Sequence, residues 1–387
     1  MKATILYTAA HAHFPDTEPL GGGKAVADYL CREFPDWTVL SPRSLGMMSA
    51  EGLVSARTRT RRSASLHELN EFQYARFCRE FERATTTAIL QHDPARCVVL
   101  TNDISEGPDF AALGRRGYRV VSLWHVDVVE YFTKFYLRDW VRPETAVKFI
   151  RWPKLVFQKQ RACVRYASRL VVPSAPMRET IRRCYPWCPA EKITVLPWGN
   201  IAVGQASSLS AGEGMDGLEA HPTDFVIMTL SRLSPEKGIE RLLRALRLVP
   251  EDVRVWICGA PAYMGGRRYE RKLRQLADDR VEFLGHVTGE RKAALLRRAD
   301  LFVSPSRHES YGLTIAEAQA AGCRIISHGH YGATGTVVDC ADPVALAAAI
   351  RAAIAAGRPP KAPVAAGGPS LAERLSEVLL ATDGNRE

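Results

Sequence analysis

The stretch SPSRHESYGLTIAEAQAAGCRII, residues 304–326, carries two carboxylates, Glu309 and Glu317, with seven residues between them. LFVSPS reads as a strand and RHESYG as the loop leaving it, with Ser310, Tyr311 and Gly312 ahead of a helix that opens near Leu313. Glu309 then precedes the helix and Glu317 sits about one turn inside it. Two such acids can be an acid/base pair, two ligands of one bound molecule, or unrelated surface charges. The setting favours ligands. A helix N-terminus offers unpaired N–H groups to a phosphate, and carboxylates on either side of it accept hydrogen bonds from hydroxyls. A sugar–diphosphate–ribose molecule presents hydroxyls, charge and hydroxyls in that order.

Two cations stand in a comparable place. In LSRLSPEKGIERLLRAL, Arg232 ends a strand and Lys237 lies five residues on, just before a helix. Arg gives a fork of donors and Lys a point charge, so both can serve one phosphate group. A helix capped by Ser234 and Pro235 with a solvated Lys is the plainer reading. Near the start, EPLGGGKAVADYL bends at Gly21, Gly22 and Gly23, and a helix is expected from about Lys24. Glycines let backbone approach a ligand closely, although a glycine turn is often only a turn, and the dinucleotide fingerprint GxGxxG is missing. His125 ends the strand VVSLWH, where a buried, satisfied imidazole is the ordinary alternative to a functional one.

These loops need strands and helices to hold them. KATILYT, WTVLS, CVVLTN, RVVSLWH and RLVVPS read as buried parallel strands separated by helical segments. Residues 203–224 change to Gly, Ser and Ala with scattered apolar positions, which reads as a linker. A second alternation follows, with strands DFVIMTLSRL, RVWICGA, VEFLGHV, LFVSPS and CRIISHG. An amphipathic helix, SLAERLSEVLLA, closes the chain after GRPPKAPVAAGGP. The fold class is therefore α/β, two Rossmann-like domains with a ligand cleft between them.

Composition narrows the function classes. At 387 residues, 46% hydrophobic and 24% charged, the chain is globular and long enough for two domains. No apolar run approaches the ~18–20 residues of a membrane helix. The apolar run in MKATILYTAAHAHF is about eight residues and reads as a first strand, not a secretory leader. Nine cysteines, an odd number, fit reduced thiols and a cytoplasmic location, and Cys184 and Cys188 lack partners for a zinc site. The net charge of +10 suits an anionic ligand or surface, but RTRTRR (57–62) and RRYERKLR (267–274) lack the interleaved aromatics of a nucleic-acid surface.

Taken together, SRLSPEKG, ESYGLTIAE, the early glycine loop and LPWGN (196–200) resemble the family 4 retaining glycosyltransferases of the GT-B architecture. The resemblance implies a donor site of Gly22, Gly23, Arg232, Lys237, Glu309, Ser310, Tyr311, Gly312, Leu313 and Glu317. Arg232 and Lys237 would hold the donor diphosphate, Glu309 the donor sugar and Glu317 the ribose. His125 would lie near the transferred sugar, and His125, Arg232, Lys237 and Glu309 form the expected catalytic set. Residues 1–202 would bind the acceptor, with 370–387 packing back on them, 203–223 linking, and 224–369 binding the nucleotide sugar. SHGHYGATGTV departs from the family: Gly335 or Thr336 stands where many members carry a Glu. No metal or cofactor is expected, since the UDP-sugar is a substrate and the cations meet the leaving diphosphate.

For the acceptor, WHVDVVEYFTKFYLRDW places Asp127, Glu130, Tyr131 and Asp139 beside His125, acids and aromatics that suit a cationic polyol. The pattern resembles the glycosyltransferases that decorate 2-deoxystreptamine in aminoglycoside antibiotic biosynthesis, with UDP-glucose or UDP-N-acetylglucosamine as donor. Three rivals remain at this stage. One is a membrane-surface glycosyltransferase docking through 57–62 and 151–165. The others are a UDP-N-acetylglucosamine 2-epimerase on the same architecture and a non-catalytic nucleotide-sugar binder.

Overall fold

The computed structural model describes residues 3–15, 20–49, 52–53, 66, 69, 71–137, 140–149, 154–198, 201, 224–261, 266–330, 332, 334–360 and 369–381. The expected linker, the basic run 57–62 and Asp139 lie outside them. The chain divides into two units, Met1–Pro197 with Pro369–Glu387, and Trp198–Gly368. This boundary falls five residues before the expected one at 202. Trp198 is fully enclosed in the second unit, its ring 6.5 Å from that of Tyr311.

In the first unit the apolar runs become strands β1 (Thr4–Thr8), β2 (Thr38–Leu40), β5 (Cys97–Thr101), β6 (Arg119–Leu123), β7 (Arg169–Val172) and β8 (Ile193–Val195). They form one parallel sheet in the order β2-β1-β5-β6-β7-β8. Every residue of Cys97–Thr101 is buried, as expected of a strand covered on both faces. Helices α1 (Gly22–Glu33), α2 (Glu71–Ile89), α3 (Phe110–Arg115), α4 (Val128–Phe135), α5 (Pro143–Phe149), α6 (Lys154–Tyr166) and α7 (Ala175–Cys184) connect these strands. A short antiparallel pair, β3 (Met48–Ser49) and β4 (Gly52–Leu53), stands apart.

The second unit repeats the plan. Strands β9 (Val226–Leu230), β10 (Arg254–Cys258), β11 (Val281–Gly285), β12 (Leu301–Ser304), β13 (Arg324–His328) and β14 (Thr336–Val338) pair in parallel in the order β11-β10-β9-β12-β13-β14. Helices α8 (Ile239–Leu246), α9 (Gly266–Leu276), α10 (Gly289–Arg298), α11 (Leu313–Ala320) and α12 (Pro343–Ala355) alternate with them. Ile227, Val255, Ile257, Val303, Leu242 and Leu246 build one core layer, and Met228, Trp256, Phe302 and Leu295 the other.

The last helix, α13 (Leu371–Leu380), belongs to the first unit. Ser370 and Glu373 cap it reciprocally. Its carboxyl end is held by Arg119, whose guanidinium donates to the carbonyls of Leu379 at 2.9 Å and Val378 at 3.1 Å, and to that of Ala381. Those carbonyls are ones a helix cannot satisfy itself.

In each sheet the order reverses beside the first strand, between β1 and β5 and between β9 and β12. An open α/β sheet binds its ligands at such switch points, beyond the carboxyl ends of the strands. Among the described residues no helix is long and apolar enough to cross a membrane. All nine cysteines are free thiols, so Cys184 and Cys188 are not bridged.

Candidate functional site

At the switch point of the second unit, β9 ends at Leu230 and the chain passes through Arg232 into a single turn of 3₁₀ helix, Pro235–Lys237. Gly238 follows in the left-handed conformation, φ 61°, and a Cβ there would lie 2.5 Å from the Pro305 carbonyl oxygen. Only glycine lets this turn sit against the chain leaving β12. Ser234 does not cap the turn. Its hydroxyl bonds Glu236 at 2.5 Å, and Glu236 Oε1 lies 3.8 Å from Arg232. The plainer reading of this segment, a capped helix with a solvated Lys, is therefore overturned.

Lys237 points instead at the second loop. Its ammonium is 2.6 Å from Glu309 Oε1, and both side chains are mostly buried. Burial alone pushes the Glu309 carboxyl up. Lys237, with help from His330 and the Ser306 hydroxyl, more than offsets this and holds it below the usual range. The loop is pinned from behind by Arg307 N–H on the Glu236 carbonyl, 2.8 Å, and by Ser306 Oγ on the His308 carbonyl, 3.0 Å. Ser310 and Tyr311 lead to Gly312, which caps α11 with φ 80°. The helix opens at Leu313, as expected, and its N-terminus is edged by the glycine turn.

Glu317 lies in α11 and pairs with Lys292 of α10 at 2.9 Å. The two glutamates of the motif thus hold two different lysines, and Lys292 escaped the sequence reading. The following loop is held equally tightly. A Cβ on Gly332 would lie 2.1 Å from the Tyr311 carbonyl oxygen, so this backbone rests directly on Tyr311–Gly312. Gly335, φ 70°, packs on Ile325 with its would-be Cβ 2.5 Å from that carbonyl oxygen, and Thr336 begins β14. No side chain fits at Gly335 without moving the Ile325 backbone.

In the first unit, α1 opens at Gly22, two residues earlier than expected, because Gly21 takes the capping position at φ 78°. A Cβ on Gly23 would lie 3.1 Å from His11 Nδ1. Asn102, at the end of β5, donates from Nδ2 to the Gly23 carbonyl at 3.0 Å. Its Oδ1 accepts from Tyr7 at 2.6 Å and lies 3.2 Å from His125 Nε2. With Oδ1 fixed as an acceptor, His125 carries its proton on Nε2. Burial, aided by nearby His11, lowers its pKa to about 3, so the ring is neutral.

The acids after His125 do not serve as expected. Asp127 is fully buried and caps α4: Oδ1 accepts from Glu130 N–H at 2.9 Å and Oδ2 from Gln160 Nε2 at 3.2 Å. Glu130 is 4% exposed and pairs with Lys134 at 3.0 Å. An acceptor role does not fit Asp127, since both of its oxygens are spent inside the unit. Tyr131, half-buried on α4, has its N–H on the Asp127 carbonyl. The sequence reading set TND (101–103) aside as too slight for a metal motif and did not weigh Glu106 after β5 or His11 after β1. Their signal was their position beyond buried apolar strands.

Residues 224–356 match the family described as glycosyl transferases group 1. Among curated proteins, the chain is 34% identical over 142 residues to the D-inositol 3-phosphate glycosyltransferase of Salinispora tropica, covering 32% of this chain and 30% of that one. It is 31% identical over 191 residues to the enzyme of the same name from Mycobacteroides abscessus, covering 48% and 40%. The chain therefore spans less than half the length of these curated relatives. Across 92% of this chain and 90% of the other, the fold matches sucrose-phosphate synthase of Thermosynechococcus elongatus with a TM-score of 0.67 at 18% identity. It matches HepE of Anabaena, solved with UDP and glucose, with a TM-score of 0.62 at 16% identity over 91% and 90%. The chain has the GT-B fold of these solved glycosyltransferases, and its second unit is similar to the glycosyl transferases group 1 family through residues 224–356.

Proposed function

We propose that the protein transfers a hexosyl group, glucose or N-acetylglucosamine, from a UDP-sugar to a hydroxyl of a small polyol, with retention of anomeric configuration. The observation that carries this reading is the Lys237–Glu309 pair at the switch point of the second unit, inside the matched region. The names of the relatives support a cyclitol acceptor, and HepE was solved with UDP and glucose. An aminocyclitol such as 2-deoxystreptamine, the acceptor of aminoglycoside antibiotic biosynthesis, is the specific candidate.

In this mechanism the bond between the anomeric carbon and the diphosphate oxygen breaks, and the diphosphate leaves with the electron pair. Arg232 and Lys237 stabilise the charge that develops, together with the N–H groups of Gly312 and Leu313 at the α11 N-terminus. Glu309 accepts hydrogen bonds from the sugar hydroxyls while aligning Lys237. Glu317, aligned by Lys292, accepts from the ribose. The acceptor oxygen attacks the face the diphosphate leaves, and its proton passes to a phosphate oxygen of the leaving group. Neutral His125, its Nε2–H held by Asn102, packs beside the sugar without carrying charge. The positive charge comes from the chain itself, so this route calls on no metal ion or cofactor.

The test is incubation with UDP-glucose or UDP-N-acetylglucosamine, with and without 2-deoxystreptamine, and mass spectrometry of the products. A product one hexosyl unit heavier than the acceptor supports the reading. An epimerised sugar nucleotide formed without acceptor refutes it.

A further inference from the structure

The first unit has its own switch point, between β1 and β5, where two carboxylates stand with a histidine. His11 follows β1, and Asp103 and Glu106 follow β5. Asp103 turns Oδ1 back to the Ile104 N–H at 2.8 Å, while Oδ2 faces the first turn of α1, 3.9 Å from the place a Gly23 Cβ would occupy. His11 packs on that same glycine, and its Nε2 lies 3.9 Å from Glu106 Oε1. Glu106 Oε1 also accepts from the Tyr74 hydroxyl. Its other oxygen, Oε2, is buried with no hydrogen-bond donor among the described residues, in a side chain only 4% exposed. A buried carboxyl oxygen without a donor is costly, and a bound group with an O–H or N–H relieves it.

The positive charge nearby is already committed. Lys159 spends its three N–H donors on the Ser105 carbonyl at 2.9 Å, the Gly107 carbonyl at 2.6 Å and Glu82 at 2.6 Å. Lys24 is paired with Asp28 at 2.5 Å. Burial raises Asp103 to about 6 and Glu106 to about 7, with Lys159 opposing both shifts. Such carboxyls accept from, or share a proton with, hydroxyl and ammonium groups. Beside them a phosphate dianion meets like charge, and Lys159 and Lys24 are already paired.

We propose that His11, Asp103 and Glu106 form the acceptor subsite of the first unit, and that it selects a polyol bearing hydroxyl or amino groups against a phosphorylated one. This rests on the glycosyl-transfer reading and sharpens it, because the curated relatives are named for an inositol phosphate. Asp103 and His11 meet the acceptor, and Glu106 takes one of its O–H or N–H groups on Oε2.

The experiment is calorimetric titration of the full-length protein, with and without saturating UDP, using 2-deoxystreptamine, myo-inositol and inositol 3-phosphate. The expected result is binding of an unphosphorylated compound at least about tenfold tighter than inositol 3-phosphate. Asp103→Asn and Glu106→Gln should each weaken it by at least about tenfold, while UDP affinity stays within about twofold. UDP affinity also reports that each variant is folded. A pH profile separates contact from packing: Glu106→Gln should remove a step in acceptor binding near pH 7. Preference for inositol 3-phosphate, binding of none of the three, or unchanged acceptor affinity in both acid variants overturns the proposal. Failure of UDP to bind counts against the donor reading alone, since the acceptor titrations without UDP still report on this subsite.

Discussion

Lys237 and Glu309 lie 72 residues apart in sequence and 2.6 Å apart in space, and their ion pair joins the loops that leave β9 and β12. These are adjacent strands on either side of the point where the sheet order reverses. A buried pair of this kind is weak support for stability, because desolvation offsets most of the Coulomb gain. In the proposed mechanism the pair aims a cation and a carboxylate at one place. Lys237→Ala and Glu309→Gln should each lower kcat by about 10²–10³-fold, the size of losing one preorganised electrostatic contact. Steady-state kinetics check this, and near wild-type rates in either variant remove that residue from the site.

The second pair makes a different prediction. Glu317 and Lys292 are 2.9 Å apart and largely buried. If Glu317 meets the ribose, Glu317→Gln should weaken UDP binding by about tenfold or more with a smaller change in kcat. Lys292→Met should weaken it less, because the carboxylate remains but loses its alignment. Equal effects on UDP and on free pyrophosphate would show that Glu317 does not read the nucleoside.

Gly332 tests how tightly the loops are stacked. A methyl group there meets the Tyr311 carbonyl oxygen at 2.1 Å, and backbone cannot give way as a side-chain tip can. Gly332→Ala should cost about 1–3 kcal/mol of stability, in the range of overpacked sites. It should also reduce donor affinity, since it moves the Gly312 turn. Urea denaturation and UDP titration read the two effects separately.

His125 predicts a pH dependence of stability. Its folded pKa, about 3, lies below the ordinary 6.5. The unfolded chain therefore binds a proton between those values that the folded protein refuses. This contribution to stability is present above pH 6.5 and is lost as pH falls from there toward 3. Between pH 7 and pH 5 the loss amounts to at most about 2 kcal/mol. His125→Gln should lose correspondingly less over that interval, measured as the shift in urea midpoint. An equal loss in both proteins would mean that the ring takes up its proton in the folded state.

Much of the frame was legible because strands covered on both faces are continuous apolar runs. CVVLT, VIMTL and LFVS could hardly be anything else in this alternation. The edges were not: Ile193–Val195, Thr336–Val338 and the antiparallel pair Met48–Ser49 and Gly52–Leu53 are too short to show a pattern. Lys237 and Glu309 were legible as residues at strand ends, but their contact was not, since it depends on β12 pairing beside β9. The same holds for His11 with Glu106 and for Glu317 with Lys292, each joined across the fold. Asp127 was misread although it carried its own signal. An Asp directly before the apolar helix VVEYF is an N-cap, and its side chain is consumed by the helix it starts.

The central claim is that the Lys237–Glu309 loops bind the diphosphate of a nucleotide sugar, and calorimetric titration with UDP tests it most directly. The account predicts one equivalent of UDP bound by the wild-type protein and affinity at least about tenfold weaker in Lys237→Ala. Binding of UDP with the same affinity in both proteins, or no binding by the wild type, would contradict it.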